Sequence, residues 1–407
     1  MGSVTMAQPP TASPAAPAGD ASGAAARVLS RTGILFALIG AAGLTLPLVQ
    51  FRANRIVAGE MLRLPAAIPS GALWAALIAA LLALNLWAGL PLRARLAVAA
   101  AGLALAVAVL GAASAAQLPP DSRAARISPS SGFWLLSLAF ALMAADAFGR
   151  MRPGLRARWA MLAGSVAAVL GVLASGWLDS SSVMVEYAAR QAQFGRALAQ
   201  HLGLALGSLA LALLVGLPVG VAIFLRPRLR RTVLSVLNML QTVPSLALFG
   251  VMIPLFGWIA ASVPGAADLG VAGIGPFPAL MALFLYALLP VVSNTLIGLT
   301  GVDPAVREAA LGVGMTRGQV LRQVQIPLAL PVIVAAVRIV LVQNIGLAVI
   351  AGLIGGGGFG TFVFQGLNQT AMDLILLGAL PTIFLALIAG VALDLIVRGL
   401  DTAGGPR

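Results

Sequence analysis

The chain has 407 residues, 60% hydrophobic and only 9% charged, where a soluble domain carries about 25% charged residues. Its net charge of +13 comes from 25 arginines against 12 acids, with one histidine and no cysteine. Disulfides, thiolate chemistry and cysteine metal sites are excluded, and a metal cluster or catalytic triad lacks the side chains it would need. The arginines lie in links between apolar runs, so they speak of membrane orientation and not of nucleic acid.

A hydrocarbon core about 30 Å thick needs about 20 apolar residues per helix, and the chain supplies such runs repeatedly. Their helical period argues against an outer-membrane barrel, whose strands alternate every second residue. Residues 1–30 form an Ala/Pro-rich tail, predicted to be disordered because it cannot bury enough apolar surface. It carries no early basic residues ahead of an apolar core, so it does not read as a secretory signal. Residues 31–178 are predicted to form a five-span region, with runs near 33–51, 71–91, 96–116, 132–149 and 158–178.

Residues 179–198 are polar. Glu186 and Arg190 stand at i, i+4, which favours a helix. Val183, Tyr187, Phe194 and Leu198 suggest an amphipathic helix on the outer surface, with a plain linker as the alternative. Five further spans are predicted within 199–400, near 200–225, 232–258, 277–300, 328–353 and 374–398. The expected fold is therefore an all-α polytopic membrane protein with about ten transmembrane helices. Placing the amino terminus inside puts 17 arginines on the inner side, seven outside and Arg338 within a span. The carboxyl terminus then also falls inside.

The spans of the first half are poor in polar residues, whereas Asn238, Gln241, Asn294, Gln343 and Asn344 fall at membrane depth in the second half, and buried polar groups there usually face a cavity or another helix. Gln241, Thr242, Pro244, Asn294, Gln343 and Asn344 are candidate path residues, with interhelical packing as the competing role. Pro218 and Pro244 should kink their spans and free carbonyls. Gly355 to Gly358 suit either a close backbone approach or a loose exit turn. His201 is expected at the membrane interface, Asp394 and Arg398 as a pair, and Asp146 near an inner boundary. Arg338 could snorkel, pair with an acid or line the path.

The longest polar run between these spans is Asp303 to Pro327. Asp303 before Pro304 reads as an N-cap followed by proline at the first helical position. A helix over Arg307, Glu308, Ala309 and Ala310 should fail at Gly312 and Gly314. Thr316 with Gln319 reads as a capping box that opens a second short helix, which Pro327 should end.

Glu308-Ala309-Ala310, three residues, Gly314, nine residues, and then Val324-Gln325-Ile326-Pro327 together resemble the EAA loop of permease subunits of binding-protein-dependent ABC importers. That family's pattern closes on Ile-x-Leu-Pro, for which Val and Ile stand in here. The second half further resembles the osmoprotectant permeases, for glycine betaine, choline and carnitine. That likeness rests on Gln200-His201-Leu202, Gly216 to Gly220, Gln241 to Leu248, Asn294 to Pro304, and Ile354 to Gly360. It covers about residues 196–400, and the five preceding spans resemble those of a longer branch.

The resemblance implies a type I (MetI-like) permease core in a bacterial inner membrane. Residues 303–327 would dock a separate cytoplasmic ATPase, present in two copies, through Arg307, Glu308, Ala309, Ala310, Gly314, Met315 and Thr316. It also implies a second permease chain, alike or different, an external periplasmic or lipid-anchored substrate-binding protein, surrounding lipid, and no cofactor. The chain contains no GxxxxGK[ST] phosphate loop, so it is not expected to be an enzyme. The alternatives are a permease for another small solute, such as an amino acid or sulfonate, and an ion-driven secondary transporter.

Overall fold

A computed structural model describes residues 30–54, 57–119 and 124–403. The expected tail, with Arg27, and the link arginines Arg55 and Arg123 lie outside the described residues.

The first half folds around the pairing of α1 (Arg31–Thr45), α3 (Gly71–Leu86), α4 (Leu92–Gln117) and α5 (Ser131–Met151). Glycine permits the close crossings. A Cβ on Gly102 of α4 would lie 2.3 Å from the Phe140 ring of α5, and one on Gly40 of α1 would lie 2.5 Å from Leu82 of α3. Small residues at such crossings let helix backbones approach where no water is present to drive association. The α3–α4 turn is held by Arg95. Its guanidinium is buried and donates to the carbonyls of Trp87 at 2.7 Å, Leu90 at 3.1 Å and Ala88 at 3.2 Å. It thus gathers the carbonyls of the α3–α4 turn.

The links of this half carry a finding that the apolar pattern did not announce. β1 (Val49–Arg52) pairs antiparallel with β2 (Glu60–Leu62) and with β3 (Arg126–Pro129), giving the order β2-β1-β3. A four-residue helix, α2 (Leu64–Ala67), follows β2. These strands are three or four residues long and bridge distant links, so no local alternation marks them.

α6 (Leu155–Ala174) buries none of its residues and packs chiefly on the last helix of the chain. Trp159 near its start and Trp177 just past its end are both exposed. They stand toward the two ends of the helix, where tryptophans of a membrane span gather at the interfaces.

The second half comprises α7 (Ser182–Ala189), α8 (Gln191–Leu225), α9 (Pro227–Thr242), α10 (Ser245–Ser262), α11 (Pro276–Thr300), α12 (Pro304–Gly312) and α13 (Arg317–Gln319). A π-helical turn over Val320–Gln325 leads into α14 (Ile326–Leu347). A 3-10 turn over Ile350–Ile354, α15 (Gly360–Asn368) and α16 (Met372–Ala403) complete it. Its centre is α11, which packs along α8 and α14.

Among the described residues, eight helices are long and apolar enough to cross a membrane, and α1 and α3 are shorter apolar helices of 15 and 16 residues. The all-α polytopic class holds, with two corrections. The run 232–258 is not one kinked span. Val243 and Pro244 separate α9 from α10, since a proline disfavours helix at the residue before it. α9 itself is amphipathic and α10 apolar. Pro218, by contrast, stays inside a continuous α8.

The 179–198 stretch forms α7 and the first turns of α8, and Glu186 does pair with Arg190. Its apolar face is not laid on an outer surface. Val183, Tyr187, Phe194 and Leu198 pack against Phe359, Phe362, Leu374 and Leu377. A sequence period shows that a face must be covered, and does not show by what.

Candidate coupling loop and translocation path

The polar run folds as its local signals dictate at its start. The Asp303 carboxylate accepts from the Ala305 N–H at 2.8 Å, and Pro304 opens α12. α12 ends at Gly312, and Gly314 takes φ +90°, a conformation that favours glycine. There the Met315 N–H reaches back to the Ala310 carbonyl at 3.2 Å. The capping box is present: the Gln319 N–H donates to Thr316 Oγ1 at 3.3 Å, and the Thr316 N–H donates to Gln319 Oε1 at 2.8 Å.

Pro327 does not end the second helix. The π-turn over Val320–Gln325 widens the ladder, with the Ile326 N–H bonding the Leu321 carbonyl five residues back, and the helix continues into α14. An ordinary turn would oppose the proline ring to a carbonyl four residues earlier, and the extra residue relieves that conflict. Residues 317–347 therefore form one continuous 31-residue helical run. Of the named loop residues, Arg307, Glu308, Ala309, Gly314 and Thr316 are exposed, Met315 is half-buried and Ala310 is buried. Val306, Leu311 and Val313 add exposed apolar surface.

The candidate path residues separate into groups. Gln241 Nε2 donates to the Tyr286 carbonyl at 2.8 Å, and the Tyr286 hydroxyl donates to the Val243 carbonyl. Pro290, inside α11, lacks the N–H that would otherwise bond Tyr286 four residues earlier. Gln241 thus satisfies a carbonyl freed by proline, and Tyr286 ties down the α9–α10 break. Gln241→Leu should lower thermal stability by about 1–3 kcal/mol, the cost of an unsatisfied buried acceptor, while Gln241→Glu, protonated, should lose less. Melting of the purified protein in detergent measures it, and an unchanged midpoint for the leucine variant refutes it.

Thr242 bonds its own helix at the Met239 carbonyl, 2.7 Å away, and Pro244 is exposed at the start of α10. Asn294 Nδ2 donates to the Pro290 carbonyl at 2.8 Å. Gln343 is half-buried, whereas Asn344 is fully buried and donates to Ser208 Oγ at 2.8 Å, joining α14 to α8. Gln241 is thus tied to α11 and Asn344 to α8, while Asn294 bonds within α11.

His201 is not interfacial. It is fully buried against the Phe359 ring, centroids 5.1 Å apart, and its Nε2–H donates to the Ile345 carbonyl at 3.0 Å. Beside it the glycine run is a close approach and not a loose turn. Gly355, Gly357 and Gly358 have φ near +75°. A Cβ on Gly357 would sit 2.2 Å from Gln200 Oε1, and that oxygen accepts from the Gly358 N–H at 3.2 Å.

Arg338 pairs with Asp394, and Asp394 also accepts from Arg398 Nε at 2.7 Å, which ties α14 to α16. Asp146 pairs with Arg150 at 3.5 Å. The sequence reading missed Tyr286 and Ser208. A tyrosine four residues before a mid-span proline was the available signal for the first, because its carbonyl had to find a foreign donor.

Two family models match the chain. Residues 30–184 match the N-terminal domain of the ABC transporter permease YehY, and residues 208–403 match the binding-protein-dependent transport system inner membrane component. The osmoprotectant import permease protein OsmW of Salmonella typhimurium is 41% identical over 208 residues, which are 51% of this chain and 90% of that protein. The carnitine transport permease protein OpuCB of Listeria monocytogenes is 41% identical over 48% of this chain and 82% of its own length. The choline transport system permease protein OpuBB of Bacillus subtilis is 36% identical over 51% and 88%. Among solved structures, an inward-facing MetNI methionine ABC transporter chain aligns with 52% of this chain and 97% of its own, at 25% identity and a TM-score of 0.46. The chain belongs to the inner-membrane permease subunits of binding-protein-dependent ABC importers, within their osmoprotectant branch.

Proposed function

We propose that this permease carries a small compatible solute bearing a quaternary ammonium group, with glycine betaine and choline as the first candidates. The curated relatives it matches are named for osmoprotectant, carnitine and choline transport. The energy comes from ATP hydrolysed by a separate cytoplasmic chain, and the solute is delivered by an external binding protein. Two permease chains face a pair of ATPase subunits, one 303–327 loop to each. Residues 226–231 and 303–327 lie on the cytoplasmic side, as do both termini, and the β2-β1-β3 sheet and α7 lie outside.

The observation that carries the mechanical part is the unbroken join between the loop and a span. α12 is short, capped and exposed, and the turn at Gly314 passes it into a helix that runs without interruption from Arg317 to Leu347. A displacement of the loop by the ATPase would therefore reach the middle of the membrane as a rigid movement. Alternating access follows: ATP draws the two loops together and opens the path outward, and hydrolysis returns it.

Two measurements test this. Membrane vesicles holding the permease, its ATPase and its binding protein should accumulate labelled glycine betaine or choline only when ATP is inside. Deletion of 305–326 should abolish copurification of the ATPase while the permease remains in the membrane. Retention of the ATPase by the deletion variant would refute the docking assignment.

A further inference from the structure

At the outer end of the second half, α8 and α15 enclose a cleft of about 390 Å³ lined by Gln193, Arg196, Ala197, Gln200 and Thr361. Arg196, Gln193 and Gln200 stand three to four residues apart on α8, so one helix face presents all three. Thr361 faces them from the second position of α15. Arg196 uses its Nε to donate to its own helix at the Ala192 carbonyl, 3.3 Å away. Its terminal nitrogens have no carboxylate partner among the described residues, and no Asp or Glu lines the cleft.

The Gln200 carboxamide is fixed from behind, because its oxygen takes the Gly358 N–H. That leaves the Nε2 hydrogens as the available end. The glycine run is what permits this placement, since a side chain at 357 would occupy the position of the amide. The cleft therefore holds a guanidinium, an oriented amide donor, a second amide and a hydroxyl, with no anion of its own.

We propose that this cleft is a carboxylate-binding station at the outer mouth, taking the carboxylate of a zwitterionic solute such as glycine betaine. The inference rests on the solute reading above and deepens it. Arginine suits the task because its fork matches a carboxylate with two parallel hydrogen bonds, and the volume falls within the range of small-molecule sites. Across Gln200 lies a second cleft of about 440 Å³, lined by Gly203, Leu204, Gly270, Pro276, Phe277, Leu280 and Gly356 as well as Gln200. That wall is apolar and carries one aromatic ring, a surface that a methylated ammonium group can contact without a charged partner. The solute's anionic end is thus held by Arg196, and its methylated cationic end meets the apolar wall beyond Gln200. Choline carries the same cation and no carboxylate, so it should be indifferent to Arg196.

The test is the complete importer in proteoliposomes, with ATPase and binding protein, comparing wild type, Arg196→Gln and Arg196→Lys with labelled glycine betaine and labelled choline. Each solute is presented on saturated binding protein. Arg196→Gln should lower glycine betaine uptake by about tenfold, the factor a charge-assisted hydrogen-bonded contact is worth. Choline uptake should stay within about twofold of wild type, which also shows that the variant is folded and coupled. Arg196→Lys should recover part of the lost rate. Equal loss of both solutes would overturn the proposal, assigning Arg196 to docking or folding instead. Unchanged uptake of both would overturn it as well. A wild-type importer that carries neither solute would sink the solute reading, and this site with it.

Discussion

Gly314→Val is expected to abolish ATP-driven uptake while leaving the protein inserted and folded. Gly314 has φ +90°, where an L side chain pays about 1–2 kcal/mol and a β-branched one more. The space around it is open, because a Cβ there would meet nothing within 4 Å. The substitution therefore acts on the backbone and not on packing. The turn that sets α12 against the 317–347 helix must open, and the exposed surface of Val306, Glu308, Leu311 and Val313 is re-aimed. The spans themselves are untouched. Glu308→Ala probes the same surface from its chemistry. Glu308 is exposed and makes no ion pair within the chain among the described residues, so its loss should not move the melting midpoint. Removing a charged contact at the ATPase should still lower uptake by about tenfold or more. Uptake into vesicles, ATPase copurification and detergent melting are measured on the same preparations. Normal transport by the double variant would show that this loop is not the coupling element.

The coupling loop was legible because its signals are local. Asp303, Pro304, Thr316 and Gln319 each act on backbone groups within three residues, so spacing alone settles their geometry. Pro327 misled because its cost can be relieved upstream: the π-turn over Val320–Gln325 lies before the proline, and no residue type demands it. The break at Val243 and Pro244 is another case of one signal with two outcomes, since Pro218 sits in an unbroken helix and Pro244 between two. Tyr286 decides the difference by reaching Val243 from 43 residues away. His201 shows the same limit. Its burial depends on Phe359 and on the Ile345 carbonyl, and neither is near it in sequence. Hydropathy showed the all-α polytopic class because the bilayer imposes one length and one polarity on every helix. It could not show which polar residues within the spans serve a neighbour. Gln241 and Asn344 proved to be bonded across helices at Tyr286 and Ser208.

The largest expected effect on stability falls where the two halves meet. Arg126 of β3 reaches Glu186 of α7 at 3.5 Å and Asp373 of α16 at 3.8 Å, and Glu186 also pairs with Arg190. The side chains of Glu186 and Asp373 are 2% and 6% exposed. Ser128 and Ser182 bond each other alongside, at 2.7 Å, and the Ser182 hydroxyl lies 2.6 Å from the Ile127 carbonyl. One arginine from the first half therefore pairs with two buried carboxylates of the second, one of which Arg190 also holds. Arg126→Met keeps the unbranched apolar stem of the side chain and removes the charge. Stripping one partner from a buried ion cluster costs about 3–5 kcal/mol, because the remaining charges stay desolvated. The melting midpoint should fall by on the order of 10 °C, and the 175–181 link should become a site of early proteolysis. Adding Glu186→Gln and Asp373→Asn should recover more than half of the loss, since neutral groups of the same shape need no cation. A recovery of that kind separates charge from packing: if the methionine itself were at fault, the triple variant would melt as low as the single. An Arg126→Met protein that melts with wild type would mean that the cluster is solvated, and that the halves are joined by apolar contact alone.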